Sequence, residues 1–514
     1  MPRGWPGWAC RTEVTVPVLA PSAALWLTDP WHDALALLLA VIVCRPAAEL
    51  IRLATATPTA RRHYLGMLRA RHRWHWLCRC TGLAQPELAP KNRAAVESRA
   101  LVLVLFSITF RLLALLFGIE TAERLGKIHY PRAQRWRLTE YGWRCEVRTA
   151  PRTGRKEMEK QAAHIADYWR SVRVGVTQQA PGRLIVRALR TDPLAEPFGP
   201  ELCPPGTWEP HQPTVLYVGR DDFGNERFLP LRGITGICIS GLPGYGKTSL
   251  IASWLCQLTT TPAAQFALLD GKDGGDQEPW HDRAWRHCGD QLADALDVLE
   301  GQHAEMRRRL RNITALCGQR NAWNAGGPTE ELPLLVTVLD ECQTYLDLAQ
   351  HKGDRVLEGM ARRCIGLTGE LIRKGRSVLC LTILATQKTT GDSIPTSLRD
   401  NSALAVSFAL KTTESSVAAL GDGIREYPGY SPTTLRETPD GIGTAVVTLT
   451  TGTDPFTRLR VPQITEQWAA ARAAATANHR RDPRAAKPPA RVDVNATPLP
   501  IVIPAPADLL VPKE

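Results

Sequence analysis

The sequence predicts an α/β protein. Its main part is a mostly parallel sheet covered by helices on both faces. A small α+β domain and a helical, membrane-associated N-terminal region precede it. Three observations carry this reading. Between residues 214 and 465 short apolar runs alternate with helical patterns, the signature of strand–helix–strand units. A glycine-rich loop, Gly241-Leu242-Pro243-Gly244-Tyr245-Gly246-Lys247-Thr248-Ser249, joins one such run to one such helix. Upstream of this part, residues 129–194 hold short strand-like runs around a single helical stretch.

Size and charge set the frame. At 514 residues the chain has room for two to four domains. Lys and Arg number 63 against 51 Asp and Glu, a net charge of +12. That balance favours a polyanionic partner, either nucleic acid or an anionic membrane surface. The 13 cysteines include no Cys-x-x-Cys pair, which argues for reduced thiols rather than a disulfide framework. The first 30 residues lack the apolar core of a secretory signal.

In chain order, residues 1–128 form the N-terminal region. Residues 34–44 are an unbroken apolar run, short of the roughly 20 needed to span a bilayer. Residues 61–80 are basic and aromatic and read as an amphipathic helix for lipid headgroups or DNA. His72, His75, Cys78 and Cys80 lie in it, but Cys-x-Cys is poor spacing for zinc. Residues 100–119 have the length and hydropathy of a span, with Arg111 at the middle costing about 2.5–3.5 kcal/mol. They fit one span, an interfacial helix, or a buried hairpin. In the α+β domain (129–194), strands are expected at 136–138 and 143–147, a helix at 158–170 and a hairpin over 172–188. A Pro-rich linker (195–213) follows. In the 214–465 unit, strands are expected at 215–218, 228–231, 237–240, 264–270, 334–341 and 378–386. Helices are expected at 248–258 and 290–310. Residues 466–514 are Ala-, Pro- and Arg-rich and read as a flexible basic tail.

The loop matches G-x-x-x-x-G-K-T, a phosphate-binding pattern, and it has the strand before and helix after that the pattern requires. Gly241, Gly244 and Gly246 let backbone N–H groups turn toward a polyphosphate. Lys247 reaches the β- and γ-phosphates as a point charge, and the Thr248 hydroxyl suits Mg²⁺. Asp340 and Glu341 end an apolar run, at the strand end where parallel sheets place ligands. There Asp340 would orient Mg²⁺ through water, and Glu341 would orient and polarise an attacking water. Gln387 ends the next apolar run and could sense the γ-phosphate. The fastest nucleotide hydrolases add an arginine, often from a neighbouring subunit. Arg362, Arg363, Arg373, Arg376 and Arg399 are the candidates.

Four segments together resemble the FtsK/SpoIIIE family of DNA-pumping ATPases. They are residues 241–248, the stretch from Leu332-Pro to Asp340-Glu341, Lys374-Gly-Arg376, and Leu384-Ala-Thr-Gln387. The helix ending Glu305-Met-Arg-Arg-Arg309 is also similar. The resemblance covers about residues 214–450. It implies a RecA-like motor that uses ATP and Mg²⁺, works as a hexameric ring and moves double-stranded DNA. The order of membrane-proximal region, small domain and single motor is most similar to actinobacterial plasmid and integrative-element transfer proteins. That implies a cytoplasmic motor attached to the cell membrane and acting in conjugative transfer. The chain departs from the family at Lys388-Thr389, where Arg-Pro is usual, and at Ala405, where many members carry arginine. The segment after residue 470 is too Pro-rich to be expected to fold as the family's C-terminal winged-helix DNA reader. Protein export is the alternative motor reading, chromosome segregation the alternative task, and non-catalytic docking the third possibility.

Overall fold

The computed structural model describes residues 56–86, 128–273, 275, 277–388, 393–436, 441–448 and 455–484. The apolar runs 34–44 and 100–119, and the chain beyond 484, lie outside the described residues. The chain divides into two compact units, Met1–Asp192 and Pro193–Glu514. Among the described residues no helix is long and apolar enough to cross a membrane.

The first unit opens with α1 (Pro58–His72) and α2 (Trp74–Cys80). Thr57 caps α1 by accepting from the Ala60 N–H. Two short antiparallel strands follow, β1 (Gln85–Pro86) and β2 (Ile128–His129). Then come β3 (Arg132–Thr139), β4 (Gly142–Arg148), α3 (Arg155–Lys160), α4 (Ala162–Trp169), β5 (Arg173–Ala180) and β6 (Arg183–Leu189). The last four strands form an antiparallel sheet in the order β3-β4-β6-β5. Its odd-numbered β4 residues Trp143, Cys145 and Val147 join Val174, Val176, Leu184 and Val186 on one face. The helices bury Tyr64, Met67, Trp74, Leu77, Met158, Ile165 and Trp169 against that face. Most of the apolar stripe of 61–80 is therefore consumed inside the unit, while Leu65, Leu68 and Trp76 stay exposed beside its basic side chains. The helix expected at 158–170 is two helices, broken at Gln161, and Arg170 ends the second in the left-handed region.

The second unit contains a ten-stranded mixed sheet. The hairpin β7 (Val215–Asp221) and β8 (Glu226–Pro230) leads into β9 (Gly236–Ser240). The phosphate loop follows, then α5 (Lys247–Leu258) and β10 (Ala264–Asp270). A short β11 (Arg286–Cys288) precedes the long α6 (Leu292–Cys317), which Gly318 ends at φ +73°. Next are β12 (Leu334–Asp340), α7 (Gln343–Leu346), α8 (Arg355–Lys374), β13 (Cys380–Thr386), α9 (Thr396–Asp400) and β14 (Leu404–Ser407). Then come α10 (Thr413–Leu420), β15 (Thr444–Val447), β16 (Thr457–Arg460) and α11 (Glu466–Ala475).

The sheet order is β11-β10-β12-β13-β9-β14-β15-β16-β7-β8. The first six strands run parallel, and the others are antiparallel. Right-handed crossovers put α5 on one face and α6 and α8 on the other. Strand β13 lies between the phosphate-loop strand β9 and the acidic strand β12. This is the RecA-like order of a P-loop fold. It brings the ends of β9, β12 and β13 side by side at one edge.

Packing explains why these runs became strands and helices. Every residue of β9, β10, β12 and β13 is buried, as a two-sided parallel sheet requires. On α5, Leu250, Ile251, Trp254, Leu255 and Leu258 are at most 1% exposed, each worth about 1.5–3 kcal/mol of burial. The Glu305–Arg309 motif is a structural clamp. Glu305 pairs with Arg309 at 2.8 Å, and Arg309 donates to the Pro333 carbonyl at 2.7 Å and the Val378 carbonyl at 3.2 Å. It ties α6 to the entries of β12 and β13.

Two boundary segments depart from expectation. Residues 195–213 are not a free linker: Phe198 packs on Tyr217 and Phe228, and its carbonyl accepts from the Gln463 N–H. Residues 466–484 are not a loose tail. Thr465 caps α11, whose Ala469 and Ala473 are buried in the main core. Alanine is small enough for close helix packing and is the best helix former.

Candidate nucleotide and catalytic site

The phosphate loop takes the conformation its glycines permit. Gly244 and Gly246 sit at φ +79° and +112°. A Cβ on Gly246 would lie 3.1 Å from both Gly443 Cα and Phe408 Cε1. Leu242 N–H donates to the Ala409 carbonyl at 2.9 Å, and the Tyr245 carbonyl accepts from Gly443 N–H at 3.0 Å. The loop is thus held by the segment just after β14 and by the turn before β15.

Lys247 is the first residue of α5 and is 5% exposed. Its Nζ lies 3.7 Å from Glu341 Oε1. Burial pushes its pKa down, against the upward pull of Glu341 and Asp340. Thr248 is exposed at the helix start. The Ser249 hydroxyl is engaged elsewhere: it donates to the Pro462 carbonyl at 2.9 Å and accepts from Ile464 N–H at 2.8 Å. Pro243, Gly244, Lys247, Thr248, Lys272 and Gln387 line a cavity of about 580 Å³, with Val461 and Ile464 on its apolar side. The volume suits a nucleotide.

Asp340 ends β12. Its Oδ2 accepts from Gln277 Nε2 at 3.0 Å and its Oδ1 from the Glu341 N–H at 3.0 Å. Burial raises its pKa; the Gln277 bond opposes this, and the neighbouring Glu341 adds to it. Glu341 sits at φ +46°, a left-handed conformation that costs a non-glycine residue about 1–3 kcal/mol. Its carboxylate faces Lys247. Its Oε2 accepts from Gln343 Nε2 at 2.8 Å and from the Gln387 N–H at 3.1 Å. Gln343 Oε1 in turn accepts from Thr386 Oγ1 at 2.7 Å. The ends of β12 and β13 are therefore linked through Gln343, and Lys247, Asp340, Glu341 and Gln387 converge on one place.

Among the described residues no group of three or more His, Cys, Asp or Glu forms a metal site by itself. An exposed threonine hydroxyl at the helix start and a buried carboxylate at a strand end are donor types that suit Mg²⁺ bound mainly by phosphates and water. Thr248 and Asp340 would hold it, and it would neutralise charge on the transferring phosphoryl group.

The arginine candidates fall elsewhere. Arg399 donates to the Ala418 carbonyl and to Thr396 Oγ1, so its guanidinium is tied to its own chain. Arg376 is exposed at the entry to β13, the opposite end of the sheet from the phosphate loop. Arg362 pairs with Glu358 and Arg363 with Glu300. Lys388 pairs with the buried Asp347 at 3.1 Å. Ala405 exchanges hydrogen bonds with Thr448, a sheet role.

Sequence reasoning missed Gln277 and Gln343. Gln277 is 2% exposed, 63 residues from the carboxylate it contacts. Gln343 stands three residues after Asp340, and that adjacency was its only signal.

No family model matches the chain, and no curated protein matches it. Solved structures do. The conjugation coupling protein TcpA of pCW3, a monomer with ATPγS, is 14% identical with TM-score 0.46; the match covers 68% of this chain and 93% of that one. The cytoplasmic domain of the type VII secretion ATPase EccC of Thermomonospora curvata is 20% identical with TM-score 0.41, covering 55% and 33%. EssC (ATPases 2 and 3) of Geobacillus thermodenitrificans is 13% identical with TM-score 0.39, covering 54% and 52%.

Proposed function

We propose that the chain is an ATP-hydrolysing motor of the FtsK/SpoIIIE type that translocates double-stranded DNA in conjugative transfer. The observation that carries the ATPase part is the convergence of Lys247, Asp340, Glu341 and Gln387 at the ends of three adjacent strands. When a triphosphate enters, Lys247 exchanges its buried carboxylate partner for the β- and γ-phosphates. Glu341 is then released from that pair and remains held by Gln343 and the Gln387 N–H. There it accepts a hydrogen bond from a water aimed at the γ-phosphorus. Gln387 shares the strand end with that contact, so loss of the γ-phosphate is felt by β13.

Duplex DNA, a ring of identical subunits and attachment to the membrane complete the reading. The resemblance and the overall basic charge support the first two. The apolar runs 34–44 and 100–119 support the third, with the motor in the cytoplasm. A trans arginine from Arg376 fits a ring, because that side chain is exposed at an edge remote from its own site.

One observation favours the protein-export reading. The unit Pro193–Glu514 carries 33 Lys and Arg against 37 Asp and Glu, so the motor itself is not a polycation. Steady-state ATPase activity separates the two readings. DNA pumping predicts strong stimulation by duplex that is lost in Lys247→Ala. Activity indifferent to DNA in an oligomeric preparation would favour export.

A further inference from the structure

The basic charge of this protein is not spread over the motor. The described residues of the first unit hold 20 Lys and Arg against 6 Asp and Glu. Much of that excess stands on one surface, the face of the β3-β4-β6-β5 sheet on which no helix packs among the described residues.

Strand register fixes the arrangement. Arg137 pairs with Arg144, and Arg144 with Arg187, in one cross-strand row. Arg132 pairs with Arg148, and Arg148 with Arg183, in a second. Their neighbours Trp143, Cys145, Val147, Leu184 and Val186 point into the core, so these arginines point away from it. Between the rows lie Gln134, Glu146, Ile185 and Thr177. Glu146 pairs with Arg135, and Asp192 with Arg173. Among the described residues no ion pair forms to Arg132, Arg137, Arg144, Arg148 or Arg183. Like charges directly opposite each other destabilise a sheet. Arg132, Arg137, Arg144, Arg148 and Arg183 bear that cost unless a polyanion neutralises them.

We infer that this sheet face binds the sugar–phosphate backbone of duplex DNA, separately from the nucleotide site. Neighbouring arginines within a row are one strand spacing apart, about 4.8 Å. The rows are four residues apart on β4 and β6, about 13 Å, on the scale of the roughly 12 Å major groove. Each row can follow one backbone, with guanidinium forks on phosphates. A lipid surface fits less well, because Leu65, Leu68 and Trp76, three of the four large exposed apolar side chains described in this unit, stand on α1 and α2, which pack on the other sheet face. The inference rests on duplex DNA being the motor's substrate, and it relocates the grip to the small domain.

The test uses the full chain without nucleotide and a labelled duplex of about 30 base pairs, titrated from about 50 to about 200 mM KCl. The fourfold variant Arg137→Gln, Arg144→Gln, Arg148→Gln, Arg183→Gln should lower the slope of log K against log salt by about 3.6, or about 0.9 per phosphate. Its unfolding temperature should be unchanged or higher. The matching fourfold Lys variant should keep most of the slope, which guards against loss by misfolding. Unchanged duplex affinity and slope in the Gln variant would overturn the inference. So would unchanged duplex binding with lost sedimentation on phosphatidylserine vesicles, which would assign the face to lipid. Binding is read without ATP. Duplex-stimulated turnover in the Gln variant with undiminished affinity would therefore sink this site and leave the motor reading standing. Arginine-dependent binding without any stimulation would do the reverse.

Discussion

Gln343 is the residue whose removal tests the site most sharply, because both ends of its side chain are committed. Its Nε2 donates to Glu341 Oε2 at 2.8 Å and its Oε1 accepts from Thr386 Oγ1 at 2.7 Å. The variant Gln343→Met keeps the length and apolar stem and deletes both bonds. A hydrogen bond to a charged group is worth about 1.5–3 kcal/mol. If that is expressed in the transition state, kcat falls about 10- to 150-fold. Glu341 keeps the Gln387 N–H, so the lower end of that range is expected, about 10- to 30-fold. Nucleotide affinity should change by less than about threefold, since the loop and Lys247 are untouched. Single-turnover hydrolysis beside equilibrium binding of a fluorescent ATP analogue separates the two quantities. A kcat within twofold of wild type would refute the positioning argument, and equal losses in binding and turnover would assign Gln343 to stability instead.

Other outcomes follow from the same geometry. Glu341→Gln should cut turnover by at least about 100-fold while ATP still binds, read by the same pair of assays. Gly246→Ala should lower both the unfolding temperature and nucleotide affinity, because its Cβ meets Gly443 and Phe408 at φ +112°; an unaltered melting curve would contradict this. His63 has its pKa pushed down to about 4 by burial and then by Arg190. It is neutral in the native state, so below its ordinary value of 6.5 the unfolded chain takes up a proton that the folded chain refuses. Stability of the first unit should therefore fall as pH drops from about 6.5 toward 4, and His63→Leu should flatten that dependence in calorimetry. Truncation before Glu466 exposes the core under Ala469 and Ala473 and should cost about 2 kcal/mol, or about 5 °C of unfolding temperature.

The parts of the site legible in the sequence were those written contiguously. The phosphate loop needs its glycines and lysine at fixed spacing, and the acidic pair must end an apolar strand; both constraints are local. Gln277, the Val461 and Ile464 wall, and the Arg460 contacts to the carbonyls of Ala195 and Ile442 come from chain distances that only sheet order closes. The alanine-rich segment after residue 465 misled because its composition matches a tail, while its burial is set by packing on α5 that composition does not reveal. Charge misled in a different way. The total of +12 is real, but it hides a motor of 33 bases against 37 acids and a small domain with a large excess. Only the unit boundary and the strand register turn that sum into a surface.

The most direct measurement is displacement of a triplex-forming strand from a long duplex by the full chain with ATP and Mg²⁺. The account predicts release that needs ATP, stops in Lys247→Ala and in Glu341→Gln, and continues on nicked duplex. Vigorous ATP turnover with no displacement at any protein concentration would contradict DNA translocation.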